Sequence, residues 1–300
     1  MQARTPSSFF VLLLCVLASA LAARAEEHSA GDVSPSAALS SADPDYEEGL
    51  PRVRLELGVT SYAFLVARTK AGRQGVATAF DPFVEGGLPG GPTAALSAYL
   101  DVKLWSWASL GGMYWGLHQA GGAHHIDSRG IGLHDTIFPG GLRVRAQVAL
   151  QHAELSLRYV WFHTRRVHLW FGIGPSWFSF RVALRPPGAP GASRRIEAFF
   201  APALTYSIAA RIPGADSLRI HLSSSIAVSY AQWPSFVAWS RFGLRYAVTP
   251  GIELTCALNA RNGIIAREKG ITRYPVTSGY RHRRVRWSAV GLEVGVAFSY

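Results

Sequence analysis

Cysteine and methionine are nearly missing, with two of each in 300 residues. That scarcity excludes a disulfide scaffold, a zinc ribbon and an iron–sulfur protein. Charge is scarce too: 16% of the residues carry it, against about 25% in an ordinary soluble domain. Acids are fewer than bases, 19 against 30, which leaves a net charge of +11. Beyond residue 25 no apolar run approaches the ~20 residues of a membrane-spanning helix. What is plentiful is glycine (30), proline (17) and aromatics (15 Phe, 9 Trp, 11 Tyr). That mixture favours strands and turns over helices. The length allows one large domain or two ordinary ones.

The first 25 residues have the form of an export signal: Arg4 ahead of an apolar core from Phe9 to Leu21, then Ala23-Arg24-Ala25 as an A-x-A-like cleavage site. Leu14 precedes Cys15 where a lipoprotein would need a small residue. With 1–25 removed, one thiol remains, Cys256, and no internal disulfide is possible. Residues 26–50 hold seven acids (Glu26, Glu27, Asp32, Asp43, Asp45, Glu47, Glu48) and no Lys or Arg. The segment is rich in Ser, Ala and Pro and has too little apolar surface to order itself. It is expected to be a disordered acidic periplasmic tail. The body, 51–300, is correspondingly more basic than the whole chain. In an exported protein such a surface meets lipid or polysaccharide phosphates and carboxylates, not chromosomal nucleic acid.

From Arg52 onward the apolar residues recur every second position. Val290, Leu292, Val294, Val296, Phe298 and Tyr300 alternate with Gly291, Glu293, Gly295, Ala297 and Ser299; Ile252, Leu254, Cys256 and Leu258 alternate with Glu253, Thr255, Ala257 and Asn259. A helix, whose faces repeat every third or fourth residue, cannot produce this. Ten runs are counted, at 52–68, 93–105, 107–119, 142–162, 167–184, 195–210, 217–230, 236–248, 251–266 and 286–300. Their connections are alternately short and mostly long. The expected fold is all-β: a transmembrane antiparallel up-and-down barrel of ten strands, with eight possible. The run 107–119 is Gly-rich, and 142–162 changes phase near Gln151, which requires a bulge there.

Alternation does not say which face is dry. The polar set is small (Ser, Ala, Gly, Thr and isolated charges), as a hydrated lumen would have, and the Leu/Val/Ile set suits acyl chains. Aromatics collect at both ends of the runs: Trp105, Trp107, Tyr159, Trp161, Phe162, Phe298 and Tyr300 at the short-turn side, Trp177, Phe178, Phe180, Phe199, Phe200, Tyr230, Trp233, Phe236 and Trp239 at the long-loop side. They are expected to form two interfacial girdles. Closure leaves no backbone polar group facing lipid. The C-terminal octapeptide, with Glu293, Gly295, Phe298 and Tyr300 in the polar, Gly and apolar places, resembles the assembly signal of Gram-negative outer-membrane β-barrel proteins. That resemblance implies insertion by the barrel-assembly machinery into the bacterial outer membrane.

The inward phase carries Arg54, Glu56, Asp101, Lys103, Glu154, Arg158, Arg241 and Arg245, which are expected to line the lumen. Two arrangements follow: a narrow, porin-like passage for small solutes, or charges that pair across a closed lumen, since isolated ones would be costly. In the second long loop, His124, His125, Asp127 and His134 are of the residue types that could bind Zn²⁺ or Cu²⁺. The Asp–His pairs there could also activate a water, as an outer-membrane enzyme working from its loops would require. No nucleophile elbow, H-E-x-x-H helix or phosphate-binding Gly loop occurs, so no catalytic residue and no cofactor is assigned. Arg281, Arg283 and Arg284 in the last long loop and its flank are suited to grip lipopolysaccharide phosphates. The functional expectation is a non-enzymatic porin-like channel. The alternatives are a loop enzyme and a structural or adhesive barrel.

Overall fold

Alternating sequence becomes strand almost run for run. The computed structural model describes residues 52–73, 78–88, 92–164, 166–229, 235–266 and 281–300. The leader and acidic tail expected at 1–25 and 26–50 lie outside these. Twelve strands form among the described residues: β1 (Val53–Arg73), β2 (Thr93–Trp105), β3 (Ala108–His125), β4 (Ile131–Leu133), β5 (Thr136–Phe138), β6 (Arg143–His163), β7 (Val167–Arg185), β8 (Ala192–Ile212), β9 (Ala215–Ser229), β10 (Ser235–Thr249), β11 (Ile252–Ala266) and β12 (Arg281–Ser299). Ten of them close an antiparallel barrel in the order β1-β12-β11-β10-β9-β8-β7-β6-β3-β2, and β4 and β5 make a separate hairpin. The seam joins the first and last barrel strands, β1 and β12. Val53 and Tyr300 exchange both backbone hydrogen bonds, at 3.2 and 2.9 Å. The tight turns at this end need left-handed backbone, supplied by Gly214 (φ 78°) and Gly251 (φ 94°).

The outer face of the short-turn half is apolar. Leu57, Leu96, Leu157, Ile173, Leu204, Leu258, Leu292 and Val294 are all exposed. Below them, at the strand ends, stand the exposed rings of Trp105, Trp107, Tyr159, Trp161, Phe162 and Tyr300. The interior of this half is polar, so the inverted arrangement holds here. Beyond it the strands continue. A 21-residue strand such as β6 rises roughly 50 Å at ~40° tilt, about twice the ~25 Å apolar band of such barrels.

In that continuation the polarity of the two faces exchanges. Along β6 the inward residues run Val144, Ala146, Val148 and Leu150, all at most 1% exposed, then His152, Glu154 and Ser156. The outward ones begin with the exposed Arg143 and Arg145 and end with the exposed Leu157, Tyr159 and Trp161. No bulge sits at Gln151. The pairing of β6 with β3 and with β7 runs through it without a shift. The apparent phase change is the level at which dry surroundings give way to water. Three of the long-loop aromatics are corrected for the same reason: Phe178, Phe180 and Trp239 point inward and are buried, so they form no lipid girdle. Tyr230 and Trp233 lie outside the described residues.

The long loops cap this upper interior. Ile131, Leu133 and Phe138 of the β4–β5 hairpin, with Phe80 and Leu88 from the β1–β2 connection, join one apolar cluster with Trp115, Phe178, Leu184 and Trp287. Thr78 and Gly132 tie the two loops together by hydrogen bonds of 3.2 and 2.8 Å.

Candidate functional site

The charged residues of the short-turn half meet across the lumen. Arg241 on β10 reaches through the interior, where its Nη2 pairs with Glu56 of β1, three strands away, and, at 2.5 Å, with Glu293 of β12, two strands away. Its Nη1 lies 2.8 Å from His221 Nε2, and its guanidinium stacks on Tyr99, 4.5 Å from the ring centre. Glu293 Oε2 accepts hydrogen bonds from Thr60 (3.0 Å), Ser97 (3.0 Å), Tyr99 (3.2 Å) and Asn259 (2.9 Å). Arg245 and Arg54 approach the other oxygen of Glu56 at 3.4 and 3.5 Å. Arg241, Glu56 and Glu293 are each at most 1% exposed. Burying such charges is tolerable only when each finds its opposite, and here each does, although Arg241 Nε, Arg245 Nε and Asn259 Oδ1 are buried without a hydrogen-bond partner.

Above it the lumen is filled by rings. Arg261 donates to Tyr62 OH at 2.8 Å and lies over the faces of Trp115 and Trp239. Tyr62 meets Trp115 edge-on at 5.5 Å, and Phe178 stacks on Trp287 at 4.3 Å. Gly263 allows the Trp287 indole to lie against its strand; a Cβ there would overlap the ring. Glu154 accepts from Ser225 at 2.7 Å and from Trp239 at 3.3 Å.

Below the charged layer the interior opens into a vestibule of about 130 Å³, to which all ten barrel strands contribute lining residues. Six Arg or Lys side chains line it (Arg54, Lys103, Arg158, Arg211, Arg219, Arg245) against two carboxylates, Asp101 and Glu253. Arg158 pairs with Asp101 at 3.2 Å and Arg54 with Glu253 at 2.8 Å. A smaller space of about 60 Å³ continues from it up to Tyr99, Trp239 and Arg241.

Similarity to solved structures agrees with this architecture. Over 83% of this chain and 96% of the other, the barrel superposes on the outer membrane protease OmpT of Escherichia coli with a TM-score of 0.50 at 10% identity. The chain is a ten-stranded outer-membrane β-barrel. The translocator domain of the autotransporter NalP of Neisseria meningitidis matches at TM-score 0.41 and 8% identity, covering 96% of this chain and 99% of that one. The attachment invasion locus protein Ail of Yersinia pestis matches at 0.34 and 7%, covering 82% and 99%. Neither a family model nor a curated protein matches the sequence. In barrels of this class the short turns face the periplasm and the long loops face outside the cell.

All eight expected lumen residues belong to this interior, and six of them (Arg54, Glu56, Asp101, Arg158, Arg241, Arg245) meet carboxylate or guanidinium partners there. Glu293, expected as part of the C-terminal signal, is also the hub of the buried layer. His221, Asn259 and Arg261 were not singled out, although each continues the polar phase of its strand. The metal expectation is corrected. Among the described residues no three His, Cys, Asp or Glu groups could jointly hold an ion. His125 instead bonds Gly141 O at 2.9 Å, and His134 lies 3.5 Å from Asp135. The loop spends its apolar residues on the cap, while His124, His125 and Asp127 are exposed and His134 is half-buried. Of the basic rim, Arg284 is exposed opposite Lys70, while Arg281 and Arg283 are placed by backbone pairing alone, opposite Arg73 and Ala71.

Proposed function

We propose that this outer-membrane barrel is non-enzymatic and sealed across its middle, and that it works by binding anionic groups in its periplasmic vestibule. The observation that carries this reading is the Arg241 layer: one guanidinium tied to carboxylates from two other strands, under a lumen packed with rings. Below it, cations outnumber carboxylates, and a partly desolvated basic cavity concentrates anions. The loop-enzyme alternative has less behind it: among the described residues no three His, Cys, Asp or Glu side chains gather, His124, His125, Asp127 and His134 included.

A narrow porin-like channel is the second reading. What favours it is that the two polar cavities share Arg54, Asp101, Arg158, Ser223 and Arg245, and so form one path up to Arg241. Planar bilayers separate the two. The sealed barrel inserts without conductance steps, and steady steps from the unaltered protein would overturn it. Calorimetric titration of the refolded protein with tripolyphosphate should give heat at low salt that fades as salt screens the cavity; no heat at low salt would end the anion-binding reading.

Lipopolysaccharide is the partner proposed at the other end. Arg68 pairs with Arg286 and Lys70 with Arg284 across β1 and β12, and Arg68, Arg284 and Arg286 are exposed beyond the apolar band. Like charges directly opposite repel, and a phosphate between them relieves this. The exposed Tyr300 at the seam fits recognition by the barrel-assembly machinery.

A further inference from the structure

We propose that the ligand of the vestibule is a linear chain of phosphates, laid across β8 to β10 along a row of in-register arginines. The inference rests on the vestibule being an anion site, as read above, and names the class of anion.

Three observations converge. The first is the row itself. Arg211 of β8 is directly opposite Arg219 of β9, and Arg219 is directly opposite Arg245 of β10. All three line the cavity. At the rim the row continues to Arg166, just before β7, whose carbonyl accepts from Arg211 N at 2.8 Å and whose side chain is exposed. Like charges directly opposite destabilise a sheet, so arginines on neighbouring strands call for a counter-ion. Strands lie about 4.8 Å apart, which spreads the four residues over roughly 14 Å. One phosphate can bridge two neighbours; a chain of three or more answers the whole row.

The second is how the carboxylates are shared. Arg219 reaches Glu253 at 3.6 Å, but Arg54 holds the same carboxylate at 2.8 Å. Arg245 reaches Glu56 at 3.4 Å, and Glu56 is already paired with Arg241. On β6, by contrast, Arg158 has its own carboxylate, Asp101, at 3.2 Å. The arginines of the row thus make long contacts to acids that other arginines hold more closely. Such contacts yield readily to a ligand that brings more negative charge.

The third is spare donors and room beside the row. His221 lies two residues along β9 from Arg219 and on the same side. Its Nε2 is 2.8 Å from Arg241 Nη1. A guanidinium only donates, so Nε2 accepts and the ring hydrogen sits on Nδ1. That atom is buried without a hydrogen-bond partner, and so is Arg245 Nε. A buried donor left unmade is costly, and phosphate oxygens can accept from it. Beside these groups the lining residues Ser207, Ala209 and Ser223 are small, which keeps the cavity of about 130 Å³ open alongside the arginines.

The test is calorimetric titration of the full chain, refolded in detergent, with orthophosphate, pyrophosphate, linear tripolyphosphate and cyclic trimetaphosphate at one low ionic strength. Affinity should rise about tenfold with each phosphate added to the linear series, as it does when binding groups are linked, and the cyclic trimer, which cannot extend, should bind about tenfold more weakly than the linear one. Arg211→Gln and Arg219→Gln should each bring tripolyphosphate down to the level of pyrophosphate. Lys103→Gln removes a lining charge outside the row and should leave the linear-to-cyclic ratio unchanged. Linear and cyclic forms binding alike, or Lys103→Gln lowering their ratio as much as Arg219→Gln, overturns the proposal and leaves the anion site standing. No heat from any of the four phosphates ends the anion site and the proposal with it.

Discussion

The lower and upper halves of the same strands face opposite ways. On β11, Leu258 and Asn262 lie four residues apart on the outer face; the first is exposed where the wall is apolar and the second is exposed and accepts a hydrogen bond from Ser288 at 2.7 Å. Inside, the order reverses: Glu253, Thr255 and Asn259 below, Ile265 above. Strand period and register are common to both halves. What differs is the medium. In lipid the barrel turns its greasy residues out and must satisfy its polar ones inside; beyond lipid it has the interior of an ordinary soluble protein. A period of two therefore reports strand and phase, and says nothing about which phase is dry.

Four substitutions break or sharpen this contrast. The largest effect belongs to the polar interior. Arg241→Met leaves Glu56 and Glu293 buried without their cation and should cost about 3–5 kcal/mol, read as a lowered urea midpoint in tryptophan-monitored unfolding. The double change R241M/E293Q, which removes that arginine with one carboxylate and leaves Glu56 to Arg54 and Arg245, should recover part of that loss. Next comes the lipid face. Leu258→Arg should cost about 2–4 kcal/mol in vesicles, as for a cation on the outer wall of a membrane barrel. Asp101→Asn removes one partner of a half-exposed pair with Arg158, and at most ~1 kcal/mol should be lost. The smallest belongs to the matched site in water: Asn262→Arg should stay within about 0.5 kcal/mol. A cost at Asn262 equal to that at Leu258 would place the whole wall in lipid and erase the distinction.

Much of the barrel was legible in the sequence because strand, turn and phase are local properties. The ten alternating runs map onto the ten barrel strands, and Arg54, Glu56, Glu154 and Arg241 were placed inside from phase alone. The polarity exchange was not legible as such. Val144 to Leu150 looks like a slipped register, because the residues that make them dry, such as Phe180 and Val182, come from neighbouring strands. Leu133 and Phe138 sit in a stretch with the composition of a solvated loop, and only its packing over Trp115 and Trp287 shows it to be a cap. Glu293 carries two meanings at once. The terminal pattern explains its place in the octapeptide, whereas its four hydrogen-bond donors lie 34 to 233 residues away in sequence. No local reading finds such partners.

Glu293 also ties chemistry to the order of assembly. It rides on β12, the last of the ten barrel strands in sequence order, and its donors wait on β1, β2 and β11 while Arg241 waits on β10. Until β12 docks against β1, that arginine has only half its counter-charge. Zipping the final seam and neutralising the interior are thus one event, so a half-built cylinder carries an electrostatic mark that the finished one does not.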